Sequence, residues 1–183
     1  MAAWGPTAPP SPKATTKNSA SPTRNRVPSL RNPALRAGPP ARLASWTGNA
    51  DPGIRYYSGT ATYTGRFPLP ERLDASQPLY LDLGDVREIA EVRVNGQNLG
   101  ILWKKPFRVA LGAAARTGWN QLEVAVTNLW PNRLIGDQQL PPEKRLTRTN
   151  ITKFKADSPL LPSGLLGPVT IEAARVVRMA PAN

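Results

Sequence analysis

The sequence predicts an all-β protein, an antiparallel β-sandwich behind a disordered basic leader. Three observations lead there: apolar residues recur at every second position from Tyr57 onward, turn residues cut that pattern into about seven short runs, and composition changes sharply after the first fifty residues. A period of two sets one face of each strand in a core and the other in water. Many short strands without a long apolar-periodic helix describe a sandwich.

The leader comes first in the chain. Of 183 residues, Met1 to Ala50 hold seven Lys and Arg, no Asp or Glu, and nine of the 21 prolines. The rest hold 17 basic and 12 acidic residues, so more than half of the +12 net charge lies in the first quarter. Its scattered apolar residues (Trp4, Val27, Leu30, Leu35, Leu43) keep no period and cannot bury enough surface to offset chain entropy. The expected organisation is a disordered leader over 1–45, one domain over 46–179 and a short tail over 180–183. An acid-free, Arg- and Ser-bearing N-terminus has the composition of an organelle transit peptide, but its prolines break any amphipathic helix, which favours a linker or an upstream extension. There is no run as long and apolar as a membrane span and no short apolar core of a secretory signal, so no membrane partner is expected and the compartment stays open.

The strands follow in order. In YYSGTATYTGRF, Tyr57, Ala61, Tyr63 and Phe67 point one way, and Ser58, Thr60, Thr62, Thr64 and Arg66 the other. Leu79, Leu81 and Leu83 alternate with Tyr80 and Asp82, and Ala90, Val92 and Val94 with Glu91 and Arg93. Asn95-Gly96 then marks a tight hairpin, whose two central residues need positive φ. The return strand is expected to carry Leu99, Ile101 and Trp103 on its core face, which makes Trp103 a core residue. Beyond Pro106 come Phe107, Val109 and Leu111, then Leu122, Val124 and Val126 after a short Ala-rich turn, and a last strand from Val169 to about Val177. Leu129 to Gly167 breaks the pattern. Rich in Pro, Asn, Arg and Ser, it is an uncommonly long connection without periodicity, and such loops on a rigid scaffold often bear function.

Two stretches go beyond pattern. LDLGDVREIAEVRVNGQNLGILWKKPFRVAL resembles the sugar-binding domain of glycoside hydrolase family 2 and its relatives. VTNLWPNRLIGDQQLPPEKRLTRTN, followed by SPLLPSGLLGPVTI, resembles the C-terminal β-sandwich of the family 106 α-L-rhamnosidases. Together they cover about 130 residues and imply a galactose-binding-like β-sandwich, a jelly roll, serving as an accessory domain. The resemblance also implies that the catalytic carboxylates of such enzymes lie on a separate barrel, and no alternation of strands and helices resembling a barrel is present here. The expectation is therefore a non-catalytic carbohydrate-binding or accessory module, a fragment lacking its barrel, with carbohydrate or a glycoside hydrolase catalytic domain as partner. Parent enzymes of this type are usually exported in bacteria.

The chemistry available in the residues agrees with that narrow role. Without cysteine or histidine, the chain lacks a disulfide framework, a thiolate or His-ligated metal site, and Cys or Ser-His nucleophilic catalysis. Glycoside hydrolysis needs two carboxyl groups across the scissile bond. The long segment offers Asp137, Glu143 and Asp157, which keeps a minimal glycosidase as a rival, although Asp137 is expected to pair with Arg133 or cap a turn and Glu143 adjoins Lys144 and Arg145. No catalytic residue is assigned. Sugar binding combines aromatic rings with Asn, Asp or Arg, and Trp130, Asn132, Arg133 and Asp137 supply that mixture within eight residues. The alternative for these four is scaffolding, with Trp130 capping the core and Asn132 and Asp137 bonding loop backbone.

Two basic clusters, Lys104/Lys105/Arg108 and Lys144/Arg145/Arg148/Lys153/Lys155, leave a third reading, an anion- or nucleic-acid-binding module. Without a recognised module or aromatic stacking platform no specific nucleic-acid partner is expected. No cofactor is expected, apart from the one structural calcium ion that sandwiches of this type often hold, for which Asp51, Asp82 and Asp85 are candidate ligands without a spacing argument. A sandwich evolved against a barrel would expose an apolar patch when alone, and self-association through it is expected.

Overall fold

The computed structural model describes residues 43–71, 77–151 and 153–174. Most of the expected leader, all of the expected tail, and the last strand beyond Ala174 lie outside the described residues. The described residues form nine strands: β1 (Thr60–Leu69), β2 (Leu79–Asp82), β3 (Asp85–Arg87), β4 (Ile89–Val94), β5 (Gln97–Leu102), β6 (Arg108–Ala110), β7 (Gly118–Thr127), β8 (Gly164–Gly167) and β9 (Thr170–Ala173). Two helices accompany them, α1 (Pro52–Arg55) and α2 (Pro131–Asp137). A four-stranded sheet ordered β1-β7-β4-β5 faces a three-stranded sheet ordered β6-β2-β9, and β3 pairs with β8 in a short ladder. All strand pairs are antiparallel. The fold is the β-sandwich that the alternation predicts.

Register explains why the alternation was legible. β1 and β7 pair along their whole length, Thr60 opposite Thr127 through Leu69 opposite Gly118, so Ala61 and Tyr63 share a face with Val126 and Val124. On the next strand Val126, Val124 and Leu122 face Ala90, Val92 and Val94. These residues, with Leu81 and Leu83 from β2 and its end, and Phe107, Leu111, Val86 and Leu165, form one core from which water is excluded. Burial at about 25 cal/mol per Å² of apolar surface makes this the main stabilising contribution.

The hairpin between β4 and β5 is as expected. Asn95 and Gly96 have φ of 51° and 83°. Asn95 also ties the turn to its neighbours, its Nδ2 donating to the carbonyl of Ala114 and to Oδ1 of Asn120, and its Oδ1 accepting from the amide of Gln121. Asn120 is fully buried and fully satisfied, because it also accepts from the amide of Arg116 and donates to the carbonyls of Arg116 and Gly118.

β5 corrects the sequence reading. Trp103 and Ile101, expected in the core, are 69% and 61% exposed. The cause is a bulge: Val92 pairs with Gly100 but Arg93 pairs with Asn98, leaving Leu99 as the extra residue. That residue shifts the parity of everything after it. Leu99 and Leu102 pack on the core, while Ile101 shares the outer face with its partner Glu91. Gly100, at φ 110°, supplies the backbone conformation the bulge requires.

The segment from Leu129 to Gly167 is the second correction. Expected as an unstructured connection, it contains α2, a 3-10 turn over Pro142–Lys144 and β8. The N-terminal boundary also reaches back into the expected leader: Leu43 packs against the core, and Oγ of Ser45 accepts from the amide of Ser163. Among the described residues no helix is long and apolar enough to cross a membrane.

Candidate functional site

The four residues singled out in the sequence lie on or beside α2, whose start is set by Pro131 at its first position. They divide by environment. Asn132 is buried: its Nδ2 donates to the carbonyl of Leu161 and to Oγ of Ser163, and its Oδ1 accepts from the amide of Leu161. Asn128 completes this interior, donating from Nδ2 to the carbonyl of Tyr57 and to Oγ of Ser163 and accepting from the amide of Gly59. Two amides and one hydroxyl thus lock the end of β7, the start of α2 and the approach to β8 together. Trp130, by contrast, is 69% exposed, so it does not cap the core.

Arg133 and Asp137 are one helical turn apart and form an ion pair, Nη2 to Oδ1, at 2.9 Å. Asp137 is buried, and its Oδ2 accepts from both the amide and the hydroxyl of Thr147. Burial pushes this carboxyl up, but the Thr147 hydroxyl, the amides of Leu146 and Thr147, and the Arg133 guanidinium outweigh it and hold the group below its ordinary value. Asp137 is therefore a clamp that fastens the segment after the Pro142–Lys144 turn onto α2. Neither of the other two acids of the segment shares this environment: Glu143 and Asp157 are exposed.

A cleft of about 380 Å³ opens along the C-terminal half of α2. Its lining comes from three separate stretches: Thr47, Arg55 and Tyr56; Ile135 and Gln139; and Ala156, Asp157, Ser158 and Leu160. Tyr56 is held in place by its contact with Gly136, where a Cβ would fall 2.6 Å from the ring, and by Gln139, whose Nε2 donates to the phenol oxygen at 2.8 Å. The sequence offered no periodicity to signal this cleft. Asn128 and Ser163 were likewise missed, although both lie in the quoted motifs VTNLW and PSGLLG.

The outer face of the four-stranded sheet carries a second feature. Ile101 lies opposite Glu91, and the register continued past Leu102 and Ala90 sets Trp103 beside Ile89, which is also exposed. The second basic cluster is exposed, with Arg145 Nε donating to the carbonyl of Leu140 and Lys153 over the Phe154 ring, whereas the first is engaged within the chain. Lys105 pairs with Asp85 and Arg108 with Glu172, Arg108 lies over the Tyr80 ring, and Lys104 over that of Trp103. The calcium candidates do not converge. Asp51 caps α1 through the amide of Gly53, Asp82 accepts from the amide of Gly84, and Asp85 pairs with Arg87 and Lys105. Among the described residues no group of three or more acids comes together that could hold a metal ion.

Comparison with known proteins gives this geometry its setting. The chain is 42% identical over 153 residues to a protein of Formosa agariphila named "Putative beta-glucuronidase", covering 70% of this chain and 13% of that one. The solved structure of a rhamnosidase from Novosphingobium sp. PP1Y matches with 43% identity and a TM-score of 0.66, over 77% of this chain and 14% of that one. This chain carries a domain related to those of glycoside hydrolases. A β-D-glucuronidase of Dictyoglomus thermophilum, 22% identical with a TM-score of 0.50 over 71% of this chain and 23% of its own, shares the fold. No protein-family profile matches the chain. The glycoside-hydrolase-related domain thus spans about one seventh of the relatives to which it is most alike in sequence among those named here.

Proposed function

We propose that this domain is a non-catalytic accessory module of the galactose-binding-like, jelly-roll type, serving an α-L-rhamnosidase-like glycoside hydrolase. One observation carries the reading: matches of 42–43% identity span most of this chain yet only 13–14% of proteins named as glycosidases. The chemistry of the long segment supports it. A retaining or inverting glycosidase needs two carboxyl groups about 5–9 Å apart, one of them able to give up a proton. Asp137 is held ionised by its partners and turned inward, which suits a structural clamp and not a general acid.

The module's work is contact. The exposed Ile89, Ile101 and Trp103 suit packing against the catalytic domain of such an enzyme, and without that neighbour they favour self-association. At the other end, Trp130 stands out from a rigid base of Asn128, Asn132 and Ser163, placed to meet carbohydrate or the neighbouring domain. The test is turnover by the purified chain on aryl α-L-rhamnosides and aryl β-D-glucuronides. No hydrolysis above buffer is expected. Hydrolysis lost in Asp137→Asn, with the fold retained, would establish a minimal glycosidase instead.

A further inference from the structure

We infer that the cleft beside α2 is a binding site for one ring of a neutral saccharide, an inference that rests on the carbohydrate-related reading above. Its volume of about 380 Å³ lies within the roughly 300–1,000 Å³ of small-molecule sites. The lining has the two surfaces a pyranoside requires. The half-buried Leu160 and the edge of Tyr56 give a narrow apolar surface for ring C–H groups, backed by the buried Ile135. Thr47, Arg55, Gln139, Asp157 and Ser158 give hydroxyl, guanidinium, amide and carboxylate groups for ring hydroxyls.

Charge selects among sugars. The cleft is lined by one cation, Arg55, and one anion, Asp157, and neither makes an ion pair among the described residues. A neutral polyol can accept from the guanidinium and donate to the carboxylate at once, whereas a uronate drawn to Arg55 also brings its charge toward Asp157 and offsets that gain. The wall is also rigid, because Gly136 lets the Tyr56 ring lie against α2 and Gln139 fixes its hydroxyl. That rigidity lowers the ordering cost of binding. The cleft lies toward the C-terminal end of α2 and Trp130 at its N-terminal end, so the two are separable by mutation.

The experiment is an NMR titration of the full chain with methyl α-L-rhamnopyranoside and, separately, the methyl glycoside of glucuronic acid. The rhamnoside should shift the amide signals of Arg55, Tyr56, Gln139 and Ser158, and bind more tightly than the uronide. Asp157→Ala and Arg55→Ala, both exposed positions whose variants should keep the parent melting temperature, should each weaken binding by about tenfold. Arg66→Ala, in β1 and outside the cleft lining, should leave it unchanged. A uronide that binds more tightly would overturn the selectivity. Shifts confined to residues around Trp130, or no shift with either sugar, would overturn the cleft as a sugar site while leaving the accessory-module reading to be judged by domain exchange.

Discussion

Replacing Asp137 by Asn tests whether the buried carboxylate organises the segment after α2. The substitution keeps the shape and removes the charge. In the parent, Oδ2 accepts two hydrogen bonds from Thr147 and Oδ1 lies 2.9 Å from Nη2 of Arg133. Hydrogen bonds to a charged group contribute about 1.5–3 kcal/mol each, of which an amide oxygen retains part. Breaking a fully buried ion pair costs about 3–5 kcal/mol, and the partly exposed Arg133 lowers that. The expected loss is about 2–4 kcal/mol, read by urea denaturation at pH 7.

The acid limb carries the sign. Because the folded group titrates below its ordinary value, the unfolded chain binds more protons in the window between the two values, and stability rises with pH there. The contribution is complete above the unfolded value near ~3.9 and disappears as pH falls through the folded one. The gap between parent and Asp137→Asn should therefore shrink as the solution is acidified below about pH 4. A variant within about 0.5 kcal/mol of the parent at pH 7 would refute the clamp.

Other perturbations probe the sandwich and its surfaces. Gly164→Ala should cost roughly 2–6 kcal/mol in denaturant melts, because φ is 99° and a Cβ would fall 2.5 Å from Nε1 of Trp46; retention of parent stability would contradict that packing. In Tyr63→Phe, the Trp46 indole N–H and the Leu165 amide lose their shared acceptor, at about 1–3 kcal/mol for each donor, with a change in Trp fluorescence expected alongside. The double variant Ile101→Thr with Trp103→Ser should sediment with fewer oligomers than the parent at an unchanged melting temperature, and a parent that is already a clean monomer would remove the basis for an apolar docking face.

What could be read from sequence followed the strength of local pattern. Ala61, Tyr63, Val92, Val94, Val124 and Val126 are buried because strict alternation leaves them no other face. Ile101 and Trp103 escaped because a single bulged residue, Leu99, reverses parity, and Gly100 within the strand was the available signal. α2 escaped because seven residues with a proline at the start and a glycine near the end show no helical period. The pairing of Asp137 with Arg133 was legible from its spacing of four, whereas Thr147 as its second partner depends on tertiary folding. The cleft joins stretches more than a hundred residues apart, Thr47 to Ser158, and no local pattern encodes such a meeting.

The central claim, that this domain serves a glycoside hydrolase without performing the chemistry, is met most directly by domain exchange. The segment of the Novosphingobium rhamnosidase that matches this chain would be replaced by residues 43–174, and kcat/KM measured on an aryl α-L-rhamnoside. The chimera should fold and keep kcat/KM within about tenfold of the parent enzyme, the allowance that about 1.4 kcal/mol of imperfect interface would require. A folded chimera with no activity, or activity that persists in the exchanged domain alone, would contradict the claim.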